Sequence, residues 1–217
     1  NNAILAISGD FNSAETIGMV DKYFGNLKQC PEVKKLPHPQ VILPGDKYTA
    51  YKDRIYLPMN LRVYPTIPQY HRDEPALDLL SMMMGQGNNS IIYKNFVKSK
   101  LAAQAVVQHQ SNELSGEFQI VLLAYPPDDM NIEKLFADLD TKVKQTIDDF
   151  EKTEITDESL QRAKAKLLSS FYSSLGNVFG VNQTISSWER LLGKGYTVSD
   201  EIDRYSKVTK DDISRVF

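Results

Sequence analysis

The first apolar run, residues 3–8, is hydrophobic at nearly every position, and this predicts a strand buried on both faces. Gly9 breaks it. Asn12-Ser13-Ala14-Glu15 then offers a capping side chain with a glutamate three residues on. Ile17, Val20, Phe24 and Leu27 recur at three- and four-residue intervals, so a helix with one apolar stripe follows and stops near Gly25. The periodicity disappears between residues 29 and 46, where Pro31, Pro37, Pro39 and Pro44 predict an extended linker. Residues 48–57 and 60–67 are rich in aromatic and β-branched side chains and predict two strands. Residues 75–84 are apolar on most of a helical surface, and the glycine- and asparagine-rich stretch 85–90 ends that helix. A short helix over 91–98 precedes two strands, 101–109 and 117–125, joined by a polar turn. After Pro126-Pro127 the pattern is helical throughout: 131–150, 157–175, 181–192, 200–205 and from 211 on, with Thr156, Ser199 and Thr209 placed as N-caps. Strands grouped in pairs, rather than alternating singly with helices, predict an α+β fold with an antiparallel β-sheet layered with helices. No internal repeat is present.

Composition narrows the function classes. A chain of 217 residues is long enough for a substantial core without disulfides or a structural metal. With 25 Lys+Arg against 28 Asp+Glu and signs intermixed, it lacks the clustered basic face that nucleic acid requires. One cysteine, Cys30, excludes an internal disulfide or a cysteine-based zinc site. His38, His71 and His109 share no helical turn, so no H-x-x-x-H or H-x-x-E-H pair exists. No run approaches the ~18 apolar residues of a membrane span, and the start does not read as a signal peptide. A strand opening at residue 3 and a helical pattern still running at Phe217 give the expectation that both ends are cut from a longer polypeptide.

Candidate chemistry is sparse. The corner 85–90 has neither a preceding strand nor the Gly-Lys-Ser/Thr ending of a phosphate loop, and reads as a helix–helix corner with Ser or Asn capping. Asp128-Asp129 precedes a helix start, where negative charge suits the helix dipole. Asp148, Asp149 and Glu151 read as a solvated helix end. Ser169, Ser170, Ser173 and Ser174 lack a nucleophile elbow and an activating base. The three histidines and Trp188 read as structural or surface residues. The residues alone therefore give an α+β domain without an active site.

Motif order adds a resemblance. The stretch Asn1-Asn2, apolar strand, Gly9-Asp10-Phe11, with Tyr23-Phe24-Gly25-Asn26-Leu27 closing the next helix, is similar to a segment of the pitrilysin/insulinase family of zinc metallopeptidases, the inverted zincins, which include the mitochondrial processing peptidases. Ala76-Leu77-Asp78-Leu79-Leu80, then Gly85-Gln86-Gly87-Asn88-Asn89-Ser90 and Tyr93, with Leu101-Ala102 at the expected spacing, resembles a second. Gly116-Glu117-Phe118-Gln119-Ile120, the helix Thr156 to Lys164, and Val208-Thr209-Lys210-Asp211-Asp212-Ile213 complete the order.

The resemblance implies a processing-peptidase-like (LuxS/metallohydrolase-type) domain of the non-catalytic, C-terminal type within one family unit. Residues 1–28 would be the closing strand and helix of a preceding domain, 29–46 the linker, and 47–217 the non-catalytic domain. In such enzymes H-x-x-E-H and a distal Glu hold zinc in the domain before this segment, so no catalytic or metal-binding residue is assigned here and zinc is expected upstream. An Arg and a Tyr that grip substrate in the larger members fall on Phe96 and Ala103, so that pair is missing. The expected function is one wall of a peptide chamber in a bacterial metalloendopeptidase. Its expected partners are the preceding catalytic domain or a partner subunit, and a peptide substrate. The alternative is a structural or assembly subunit of the same fold without protease activity. The expected location is periplasmic, with the cytoplasm as the other option.

Overall fold

The structure is a computed structural model that describes residues 3–28, 30–31, 34, 36–37, 39, 41–193 and 195–217. Its elements are α1 (Ser13–Phe24), β1 (Met59–Thr66), α2 (Glu74–Gly85), a π-helical turn (Tyr93–Lys98), β2 (Ala102–Ser111), β3 (Gly116–Ala124), α3 (Ile132–Thr153), α4 (Asp157–Ser174), α5 (Val178–Leu191), α6 (Val198–Ser206) and α7 (Lys210–Val216). They fall into two units. One gathers Asn1–Leu36 with Leu168–Glu201, the other Pro37–Leu167 with Ile202–Phe217.

The larger unit holds the sheet, antiparallel throughout and ordered β1-β3-β2. It is the α+β fold the strand grouping predicts. The central strand β3 alternates strictly, with Phe118, Ile120, Leu122 and Ala124 buried on one face. Its first residue must be glycine, because a Cβ on Gly116 would lie 2.4 Å from the Ile67 carbonyl oxygen. On that inner face sit α2, which packs on β2, and α3, whose buried residues are Leu139, Val143, Thr146 and Phe150. α2 buries residues nearly all round (Ala76, Leu77, Leu79, Leu80, Met84) and carries Pro75 in its first turn, where a residue needs no amide partner. Each fully buried Leu, Ile or Phe of this core stabilises it by about 1.5–3 kcal/mol.

The capping expectations hold in part. Asn12 accepts from the amides of Ala14 and Glu15, and Thr209 forms a reciprocal capping box with Asp212. Ser199, however, lies inside α6, and Thr197 caps that helix by pairing with Asp200. α5 begins earlier than its pattern suggests, at Val178 under an Asn177 cap. The expected helix over 91–98 closes as a π-helical turn.

Two strand expectations fail. Residues 3–8 are extended but join no sheet, and Ile4, Leu5 and Ile7 are 44, 56 and 45% exposed. Residues 48–57 are likewise unpaired, with Tyr48, Tyr51 and Tyr56 exposed. Both segments have strand composition. That composition describes how side chains pack on a pleated surface, and no described strand offers either segment a ladder. Asn1-Asn2, His38 and part of the 29–46 linker lie outside the described residues.

The smaller unit is held by fewer contacts. Trp188 is its one buried apolar side chain among the described residues; it lies edge-on to Tyr196 at 5.2 Å and 6.4 Å from the Phe171 ring. Asn182 donates to the Ser8 hydroxyl. None of the α1 side chains is buried.

Candidate functional site

The sheet's other face is open. Register and alternation put four cross-strand rows on it: Met59–Leu123–Gln104, Leu61–Val121–Val106, Val63–Gln119–Gln108 and Pro65–Glu117–Gln110. Ala103 is the extra residue of a bulge between Ala102 and Gln104, which sets the β2 side of the first row. Met59, Leu61 and Val63 are 44, 47 and 43% exposed, against 0–7% for the inner-face residues of β3. The first two rows are aliphatic apart from Gln104. The last two form an amide relay in which Gln108 donates to Gln119 at 2.6 Å and Gln119 donates to Glu117 at 2.7 Å. The basic side chain of β1, Arg62, points to the inner face and pairs with Asp140 of α3.

Beneath the inner face lies a polar network that the sequence does not announce. Glu74 and Asp78, four residues apart on α2, present two carboxylates on one helix face. Glu74, 5% exposed, accepts from the Tyr70 amide (2.6 Å), the Ser111 hydroxyl (2.5 Å) and the Arg204 guanidinium (2.6 Å). Asp78 accepts from the Tyr205 hydroxyl at 2.7 Å and lies 2.7 Å from Nδ1 of His109. Nε2 of His109 lies 3.1 Å from the Thr66 hydroxyl. A carboxylate can only accept, so Nδ1 is the nitrogen that donates to Asp78, and Nε2 and the Thr66 hydroxyl share the second hydrogen bond.

Hydroxyl, imidazole and carboxylate thus stand in the order that proton relay uses. The imidazole is nevertheless fully enclosed, its side chain 0% exposed. A base must come within hydrogen-bond reach of the proton it removes from substrate, and no substrate atom reaches this one. The chain therefore fixes α2, β2 and the end of α6 to one another.

Two of the quoted motifs meet in the same unit. Thr156 and Ser159 cap α4. One turn further on, Lys164 is 8% exposed and donates to the carbonyls of Ser206 and Val208, at the end of α6 and just before the Thr209 box. Burial lowers the Lys164 pKa, while Asp212 acts against that shift.

The other candidates take structural places. At the corner, the Ser90 hydroxyl accepts from the Tyr93 amide, as a cap does. Asp129 accepts from the Asn131 amide ahead of α3. Asp148, Asp149 and Glu151 are exposed. The hydroxyls of Ser173 and Ser174 donate back to the carbonyls of Ser169 and Phe171, and no described histidine belongs to their unit. His71 is part-exposed beside Asp73. Phe96 is fully buried and Ala103 exposed, so neither grips a ligand as an Arg–Tyr pair would. Among the described residues no three His, Cys, Asp or Glu side chains converge as a metal-ligand set. No described helix is long and apolar enough to cross a membrane.

The profile of the peptidase M16 inactive domain family matches residues 1–167. The chain belongs to that family. The pitrilysin/insulinase resemblance thereby holds, and so does the non-catalytic type of domain it implied. The chain is 27% identical over 178 residues to the zinc protease PqqE of Helicobacter pylori, covering 80% of this chain and 39% of that protein. A solved protease from Helicobacter pylori superposes with a TM-score of 0.67 at 23% identity, covering 96% of this chain and half of that one. A conserved protein from Enterococcus faecalis superposes with a TM-score of 0.71 at 16% identity, covering 96% and 47%. The chain thus spans half or less of the length of these relatives, and its inactive-domain fold is common to them.

Proposed function

We propose that this M16 inactive domain forms one wall of the peptide-substrate chamber of a bacterial zinc metalloendopeptidase, with the chemistry carried out by a preceding catalytic domain. The observation that carries this is the open sheet face: one side of the sheet is sealed by α2 and α3, the other presents an aliphatic surface to solvent. A wall contributes by confining and orienting a flexible peptide, which lowers the entropic part of the barrier without touching the reacting atoms. Zinc, when bound in the full-length protein, would be held by an upstream H-x-x-E-H and a distal Glu and would supply the activated water.

The same reading assigns residues 1–28 to the preceding domain, 29–46 to the linker and 47–217 to the wall domain. Exposure supports it. Ile17 and Phe24 of the α1 stripe are 68 and 52% exposed, with Val20 between them half-buried, and Leu27 just beyond the helix is 71% exposed, so much of this apolar surface is uncovered. The periplasm is the proposed location.

The test uses full-length protein carrying a photo-crosslinking amino acid in place of Leu61, incubated with an unfolded peptide substrate. The expected results are crosslinking of peptide to that position, zinc bound only by the upstream half, and no cleavage by the 217-residue chain alone. One tightly held zinc per isolated chain, or full cleavage by protein lacking residues 47–217, would overturn the reading. An upstream sequence without H-x-x-E-H would favour the assembly subunit instead.

A further inference from the structure

The open face is graded, and we infer that it selects and orients an extended peptide that is aliphatic at one end and neutral or basic at the other, discriminating against acidic segments. This rests on the chamber-wall reading and adds the substrate class. Of the face's twelve positions, only Glu117 is charged, in a chain with 25 basic residues. The aliphatic rows and the amide rows are not interspersed. They occupy opposite ends of the strands, and the seven residues from Met59 to Pro65 make six steps, a span of about 20 Å at roughly 3.3 Å per step. A peptide of six or seven extended residues covers that length.

Charge sets the preference. Glu117 receives one hydrogen bond, from Gln119, and no arginine or lysine on the same face balances it. A lysine or arginine arriving at this end completes a pair. An aspartate or glutamate meets a like charge beside a low-dielectric protein wall, where repulsion is stronger than in open water. At the other end, Met59, Leu61 and Val121 favour side chains that remove apolar area from water. They offer no hydrogen-bond partner to a polar side chain that would be desolvated there. The two ends together set direction as well as composition, since reversing the peptide puts its polar half over the aliphatic rows.

The experiment titrates the 217-residue chain against fluorescein-labelled Leu-Val-Leu-Thr-Gln-Lys-Gln and its acidic counterpart Leu-Val-Leu-Thr-Glu-Asp-Glu, followed by fluorescence anisotropy at low ionic strength. The lysine peptide is expected to bind at least tenfold more tightly. Leu61→Glu is expected to weaken it by about tenfold while leaving the melting temperature unchanged, because the side chain is half exposed. Glu117→Gln is expected to narrow the gap between the two peptides. Equal affinities, no binding of the lysine peptide at about 1 mM, or indifference to Leu61→Glu would each overturn the inference. So would sedimentation showing that the face is occupied by a second copy, with dimers that Leu61→Glu dissociates. If substrate still crosslinks at position 61 in the full-length protein while the two peptides bind alike, the wall reading stands and the selectivity falls. If crosslinking is absent, the wall reading itself falls.

Discussion

Glu74 and Arg204 give the strongest stability prediction, because the carboxylate is almost completely enclosed and three donors converge on it. The side chains of Glu74 and Arg204 are 7% and 19% exposed, and the guanidinium also lies 5.0 Å from the centre of the Tyr70 ring. Tyr70 has φ +61°, a left-handed conformation that is unfavourable for a residue with a side chain, and its amide donates to the same Glu74 Oε2 that accepts from Arg204. Arg204→Met keeps an unbranched stem in place but leaves a buried carboxylate without its counter-charge, at a cost of about 3–5 kcal/mol. Glu74→Gln retains an amide oxygen for Arg204 and the Tyr70 amide and loses the charge assistance, at a cost of about 1–2 kcal/mol. In the double variant no buried charge remains, so the two losses overlap, and a double-mutant cycle returns a coupling of about 1–3 kcal/mol. Urea denaturation followed by far-ultraviolet circular dichroism measures all four proteins. Each kcal/mol corresponds to about 2–4 °C in melting temperature for a chain of this size. The reasoning is refuted if Arg204→Met costs under ~1 kcal/mol and the two changes are additive, since that is how solvated surface pairs behave.

Two further predictions test packing and charge. Gly85→Ala would put a methyl group 2.7 Å from Cβ and 3.0 Å from the amide nitrogen of Val107, where backbone cannot yield, so a loss of about 1–3 kcal/mol is expected in the same urea experiment. Asp73 accepts from Arg215 at 2.8 Å, and chiefly that hydrogen bond lowers its pKa. A carboxyl lowered on folding contributes stability that is complete above the ordinary aspartate value, about 3.9, and is lost as pH falls through the lower folded value. The stability difference between wild type and Arg215→Met should accordingly be constant above about pH 5 and shrink below pH 4. A difference that does not change with pH would count against the pair; Asp212, lowered mainly by Thr209 and further by Arg215, keeps the Thr209 part in both proteins and adds a smaller change of the same sign when Arg215 is removed.

How far the chain could be read from its sequence depends on whether the deciding partner was local. Helices declared themselves through periodicity and caps. The strands at 102–111 and 116–124 did so through alternation and a polar turn, because a hairpin carries its own ladder partner within twenty residues. The runs at 3–8 and 48–57 have equally good strand composition and form none, since the partner that would pair them is not among the described strands. The buried network was hidden for the same reason. Glu74 and Asp78 show the helical spacing that brings two carboxylates together, but what neutralises them, Arg204 and Tyr205, lies 130 and 127 residues later.

The open face is the sharper case. Met59, Leu61 and Val63 alternate as a core-facing set would, and nothing local distinguishes a buried stripe from one left open. The distinction needs the register against β3, which shows Arg62 and Asn60, not the aliphatic set, on the side of Ile120 and Leu122. A strand whose polar residues face the core and whose aliphatic residues face out has inverted the usual arrangement. Arg62 turns inward because Asp140 meets it there, and burying such a charge is tolerable only with that partner. Exposing Met59, Leu61 and Val63 has no comparable partner among the described residues. An apolar stripe left open on an otherwise sealed sheet is unfavourable in water alone, and it is explained when something else covers it during function. A peptide bound along the strands is such a cover, and it would meet the aliphatic rows and the Glu117 end at the same time.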